Sequence, residues 1–266
     1  MKIYEIYDEE SSLSIGTLLY YEKEKTFIIE LMDYLDEWNA PLLFTSFVRK
    51  KIFTIPREAG LMWVRERVIP STRQNISAIL KNHKLKEYDE MKFLEIAHGR
   101  CCQDSMAIRE IFKIPEYALL RQKKNLTECT VLDDGNVLCF FADGKTRKID
   151  LSKLDNEDVA EKVCNNIRLL KSCKVGTGGY YLTFNDSIDI PAAELYHAGK
   201  LIPLSLGDFI TFAGSNIIDT PQCCKELSCS RQNLAYMTEH GLFEPIKTNT
   251  RGNLYLKADV LSSKWG

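Results

Sequence analysis

The chain of 266 residues has no apolar run close to the length of a membrane helix, so no membrane span is expected. Its opening, Met1–Ser12, lacks the basic and apolar regions of a signal peptide, and a cytoplasmic location is expected. An excess of charge of one sign is also missing. The net charge of -2 gives no overall basic field, so any contact with nucleic acid must be local. Histidines are few: His83, His197 and His240 stand alone, without the spacing of metal ligands. The nine cysteines (101, 102, 129, 139, 164, 173, 223, 224 and 229) are odd in number and show no Cys-x-x-Cys pairs. Reduced, mostly buried thiols fit that pattern better than a disulfide framework or a metal site. There is no internal repeat, no low-complexity segment and no phosphate loop. Gly176-Thr-Gly-Gly179 leads into the strand-like Tyr-Tyr-Leu-Thr-Phe184, whereas a phosphate loop opens a helix. With 45% hydrophobic and 27% charged residues, the remainder is the composition of a globular protein with real cores.

The C-terminal stretch is the most informative. From Thr220 to Gly241 it reads as two short helices around a tight turn. Pro221 suits the first helical turn, Ser230 suits the cap of the second helix, and Gly241 suits its end. Leu227, Leu234, Met237 and Leu242 recur on one inner side, which leaves Arg231, Gln232, Asn233 and Tyr236 outward. Arg pairs bidentately with guanine edges, and Gln and Asn pair with adenine. Pro245–Leu256 then reads as two short strands around a polar turn ending in Gly252, with Lys247, Arg251, Asn253 and Lys257 placed for DNA, and Ala258–Trp265 as a closing helix.

This order, in "LSCSRQNLAYMTEHGLFEPIK" and "GNLYLKADVLSSKW", resembles the winged helix-turn-helix of MerR-type regulators and phage excisionases over about residues 217–265. The resemblance implies DNA binding through Ser230, Arg231, Gln232, Asn233, Tyr236, Lys247, Arg251, Asn253 and Lys257, with double-stranded DNA as partner and a homodimer as reader. One feature departs from it: residues 205–266 carry six basic and six acidic side chains, which weakens general attraction to DNA.

Residues 1–30 are strand-rich around a polar turn at Glu22–Lys25, and short strands are expected at Leu42–Phe47 and Lys51–Thr54. Helices are expected at Met62–Val68, Ser71–Asn82 and Asp89–Ala97, the last ended by Gly99. The segments "IGTLLY", "ERVIPSTRQNISAIL" and "EYDEMKFLEIAHGRC" resemble the N-terminal subdomain of HipA-type toxin kinases over about residues 1–112. That subdomain packs on a kinase core, and none follows here: there is no catalytic-loop motif, and Gly207-Asp-Phe-Ile210 is not the metal-binding Asp-Phe-Gly. A face retained from such packing, with Trp63, Ile69, Ile76, Phe93 and Ile96 as candidates, implies a protein partner through residues 1–112. Pro115–Lys124 reads as a basic connector.

From Asn125 onward three strands are expected, with turns at Asp133–Asn136 and Asp143-Gly144, then a helix near Asp158–Leu170. Together with "YYLTFNDSIDIPAAELYHAGKLIPLS" this resembles a small bacterial domain of unknown function over about residues 125–203, implying a compact α/β fold.

The expected fold class is α+β in three small modules: residues 1–119, 120–204, and 205–266, the last a winged helix-turn-helix. The expected function is transcriptional regulation by DNA binding, of the protein's own locus, without catalysis, cofactor or metal. The alternative is a protein-binding inhibitor or antitoxin-like adaptor, such as a toxin neutraliser or a phage anti-defence protein. An enzyme would have to use His98, Cys101, Cys102 and Asp104, which lie too close in sequence to align as base and nucleophile. Asp186, Asp189 and Glu194 read as turn and cap residues more readily than as an acid–base pair.

Overall fold

The computed structural model describes residues 1–154, 157–248, 252–257, 259 and 260, and shows an α+β chain in two compact units. One unit comprises residues 1–143 and 147–200, the other residues 144–146 and 201–266.

The first unit begins with a sheet of β1 (Lys2–Asp8), β2 (Ser14–Tyr21) and β3 (Thr26–Leu31). The apolar runs of β2 and β3 bury both faces, so these strands are central, whereas β1 alternates. After α1 (Thr45–Arg49) come β4 (Thr54–Ile55), α2 (Arg57–Arg65), α3 (Ile76–Asn82), α4 (Glu90–Ile96) and β5 (Met106–Glu110). The sheet order is β4-β3-β2-β1-β5, antiparallel throughout. Its core includes Trp63, Val64, Met91, Phe93 and Leu94.

Several expectations change here. Leu42–Phe47 is not a strand but a 3-10 turn (Leu42–Phe44) running into α1. Leu43, Phe44, Phe47 and Val48 pack inward at spacings of three and four, a helical period that the clustered apolar residues concealed. Lys51–Thr54 contributes only the edge of β4. Trp63 and Phe93 are buried, and Ile69 and Ile76 pack against the same core, so of the five proposed patch residues only Ile96 is exposed. The module uses these side chains for its own interior.

Pro115–Lys124 is not a loose connector but α5 (Glu116–Gln122). Residues one turn apart on α5 reach the sheet: Tyr117 Oη shares a hydrogen bond with Thr17 Oγ1 at 2.7 Å, and Arg121 donates to Glu30 Oε2 at 2.8 Å and to the Leu31 carbonyl at 2.7 Å.

The strands β6 (Leu126–Val131), β7 (Val137–Phe141) and β8 (Thr146–Ile149) then run in the order β8-β7-β6. They are followed by α6 (Glu157–Cys164), α7 (Ile167–Lys171), β9 (Lys174–Val175), β10 (Tyr181–Phe184), β11 (Ile188–Pro191) and α8 (Ala192–Ala198). This half has its own core around Phe141, Leu182, Phe184 and Leu195. Leu19 and Ile28 of the first sheet pack with Tyr180 and Tyr181, which joins the two cores within one unit. Asn125 Nδ2 adds a bond of 2.9 Å to the Gly178 carbonyl. The glycine run serves close approach rather than phosphate binding. Gly179 has φ +73, and a Cβ there would lie 2.1 Å from the Leu126 carbonyl oxygen.

The second unit holds β12 (Lys200–Ile202, from Leu201), α9 (Leu206–Asn216), β13 (Ile217–Asp219), α10 (Thr220–Leu227), α11 (Arg231–Glu239) and β14 (Leu254–Leu256). Among the described residues, no helix is long and apolar enough to cross a membrane.

Candidate nucleic-acid interface

Local sequence signals place α10 and α11. Asp219 caps α10 by accepting from Gln222 N at 2.9 Å, and Gln222 Oε1 accepts from Asp219 N at 3.2 Å. Ser228 turns the chain with φ 50, and Cys229 N bonds back to the Cys224 carbonyl at 3.0 Å. Ser230 Oγ then accepts from Asn233 N at 3.2 Å and starts α11. Gly241, with φ +71, ends it, and Leu242 N donates to the Met237 carbonyl at 3.1 Å. Asp219→Ala removes the reciprocal cap and is expected to cost about 1 kcal/mol, measured as a lowered unfolding midpoint of this unit.

The interior of the unit comprises Ile218, Cys223, Leu234, Phe243, Tyr255 and Val260, with Leu227, Cys224, Cys229 and Met237 against them. Leu242, expected inside, is exposed. The left-handed Gly241 redirects the chain by one residue, so that Phe243 turns inward and meets Tyr255 edge-on at 5.5 Å. Burial pushes the Cys223 thiol up to about 11, as suits a packing residue rather than a reactive one.

The strand pairing differs from the expected hairpin. β14 pairs mainly with β13, with Ile218 opposite Tyr255, while the segment after α11 contributes a single bridge, Lys247 to Leu254. Arg251 and most of the expected closing helix, Ala258–Trp265, lie outside the described residues.

The named side chains divide into three groups. Arg231, Gln232, Asn233 and Tyr236 are all exposed on α11, as is Lys247 beyond it. The Tyr236 ring stacks on His240 at 3.8 Å. Lys257 is half-buried and faces Glu226 Oε1 at 3.5 Å, which diverts its charge from a phosphate. Asn253 is half-buried and donates to Tyr255 Oη at 3.3 Å. A cleft of about 320 Å³ lies between α11 and the β14 segment, lined by Thr220, Arg231, Thr238, Glu239, Asn253 and Tyr255 among others. Thr220 and Tyr255 were not singled out from the sequence. Tyr255 sits in the apolar alternation Leu-Tyr-Leu, which marks it only as a strand residue.

No protein-family model matches the chain, and no curated protein or solved structure is significantly similar to it.

Elsewhere, three of the candidate acidic side chains are engaged. Asp104 is ion-paired with the buried Arg67 and accepts from Met106 N at 3.1 Å, with Cys101 Sγ 3.5 Å away. Asp186 pairs with Lys174 at 2.8 Å, and Asp189 with Arg57 at 2.8 Å. Among the described residues no group of three or more His, Cys, Asp or Glu side chains could hold a metal ion.

Proposed function

We propose that the second unit is a winged helix-turn-helix that binds double-stranded DNA, and that the protein is a transcriptional regulator. The observation that carries this reading is the first turn of α11. It is fixed by the Ser230 cap and the Leu234 anchor, and it presents Gln232 and Asn233 to solvent with Tyr236 one turn on. An exposed helix start bearing amide side chains is what the major groove accepts. The equal counts of basic and acidic side chains in residues 205–266 imply modest non-specific affinity, so binding energy must come from base contacts and from few phosphates. Gln232→Ala and Asn233→Ala are each expected to cost about 1–3 kcal/mol at one base position. Sequencing selection with the intact protein tests this; recovery of no preferred site refutes the reading.

A second reading, protein binding without DNA, is favoured by one feature. Trp38 is 88% exposed and Leu42 is 93% exposed, on the segment between β3 and α1. Asp36 fixes this segment by accepting from Trp38 N at 2.9 Å and from Asn39 N at 3.1 Å. A tryptophan held outward on an ordered turn has the chemistry of an interface anchor.

A further inference from the structure

The cleft beside α11 separates two roles that exposure alone does not distinguish. Arg231 lines it together with Thr220, Asn253 and Tyr255, whereas Gln232, Asn233 and Tyr236 do not. Arg231 makes no ion pair among the described residues. Tyr255 is 3% exposed. Its hydroxyl oxygen accepts from Asn253 Nδ2 at 3.3 Å, and the hydroxyl proton has no acceptor among the described residues. Two residues that line one cleft therefore carry a buried hydroxyl with an unspent proton and an unpaired guanidinium. Both are donors, so the group they suit is an acceptor with negative charge. Asp219 and Ser230 each occupy one amide at the starts of α10 and α11, those of Gln222 and Asn233. Glu239 also lines the cleft, eight residues and about 12 Å along the helix axis from Arg231, so an anion is favoured beside Arg231.

We propose that this cleft seats one phosphodiester of the DNA backbone, held by Arg231 and Tyr255, so that Arg231 positions α11 on the duplex and base reading falls to Gln232, Asn233 and Tyr236. This rests on the DNA-binding reading above and assigns Arg231 a contact opposite in kind to the guanine pairing expected from its residue type. Thr220 Oγ1, which donates to the Asn253 carbonyl at 3.4 Å, ties the two walls of the cleft together.

The test compares the full-length protein with Arg231→Ala, Arg231→Lys, Tyr255→Phe and Gln232→Ala on a selected DNA site and on single-base variants of it, over a range of salt. Arg231→Ala is expected to weaken every sequence alike, by roughly tenfold, and to lower the salt slope by about one. Arg231→Lys keeps the slope, since a lysine still neutralises one phosphate. Tyr255→Phe, which retains the ring packed on Phe243, weakens all sequences by a few-fold without altering preference. Gln232→Ala instead relaxes preference at one position. If Arg231→Ala relaxes one base position, or leaves affinity and salt slope unchanged, this inference is overturned while the DNA reading stands. Wild-type protein that binds no DNA overturns both. Unchanged thermal melts of the variants confirm that folding is not the cause.

Discussion

Replacing Arg121 with methionine is expected to destabilise the first unit by about 3–5 kcal/mol, because it strands a carboxylate in the interior. Glu30 is 0% exposed on the central strand β3. Its Oε2 receives Arg121 Nη1 at 2.8 Å and Thr54 Oγ1 at 2.8 Å, and the Tyr180 hydroxyl approaches the carboxylate beside the second core. Burial pushes the Glu30 carboxyl above its ordinary value, and Arg121 is the main opposing influence. The same guanidinium bonds the carbonyls of Leu31 and Phe53 and pairs with Asp33, so α5, β3 and β4 are joined at one point.

Chemical denaturation followed through Trp63, which lies in this core, measures the loss. The double variant Glu30→Gln/Arg121→Met should recover much of it, since neither charge then remains buried. A loss below about 1 kcal/mol in the single variant would place the pair among surface-like contacts and contradict this account. The pH dependence has a definite sign. A carboxyl whose folded pKa is raised binds its proton more readily in the folded chain, so its contribution to stability falls as pH rises above the ordinary carboxylate range. Glu30→Gln should flatten that slope.

The second large effect is expected in the other unit. Leu234 is 1% exposed and anchors α11 in an interior of few side chains. Leu234→Ala should cost about 2–5 kcal/mol. In a unit this small that loss approaches the whole of its stability. The expected result is a second unit that unfolds at ordinary temperature and a chain that no longer selects a DNA site, while Trp63 fluorescence reports an unchanged first unit. Site selection at wild-type affinity by a variant that has lost the helical signal of α10 and α11 would contradict the assignment of DNA binding to this unit.

Much of the second unit was legible because its signals are local. Pro221, Ser230 and Gly241 act on backbone groups within one turn of themselves, so α10 and α11 start and stop close to where these residues direct. The strands β1 to β3 were legible for a similar reason, since alternation and apolar runs are properties of consecutive residues. Where a local signal was ambiguous the reading failed. Leu42–Phe47 carries an apolar cluster that suits a strand or a helix, and only the packing of Phe44 and Val48 selects the helix.

The sequence by itself determined the α+β class, the capped helix pair and the outward placement of Gln232 and Asn233, because propensity, capping and period act over a few residues. Tertiary structure alone decided the rest. It turned the basic segment at 115–124 into the helix that neutralises Glu30, roughly ninety residues away in sequence. It made Gly179 a point of contact with β6, and it set Tyr255 and Arg231 on the same cleft. Each of these depends on pairing between residues distant along the chain, and burial, charge compensation and close approach exist only once the chain has brought them together.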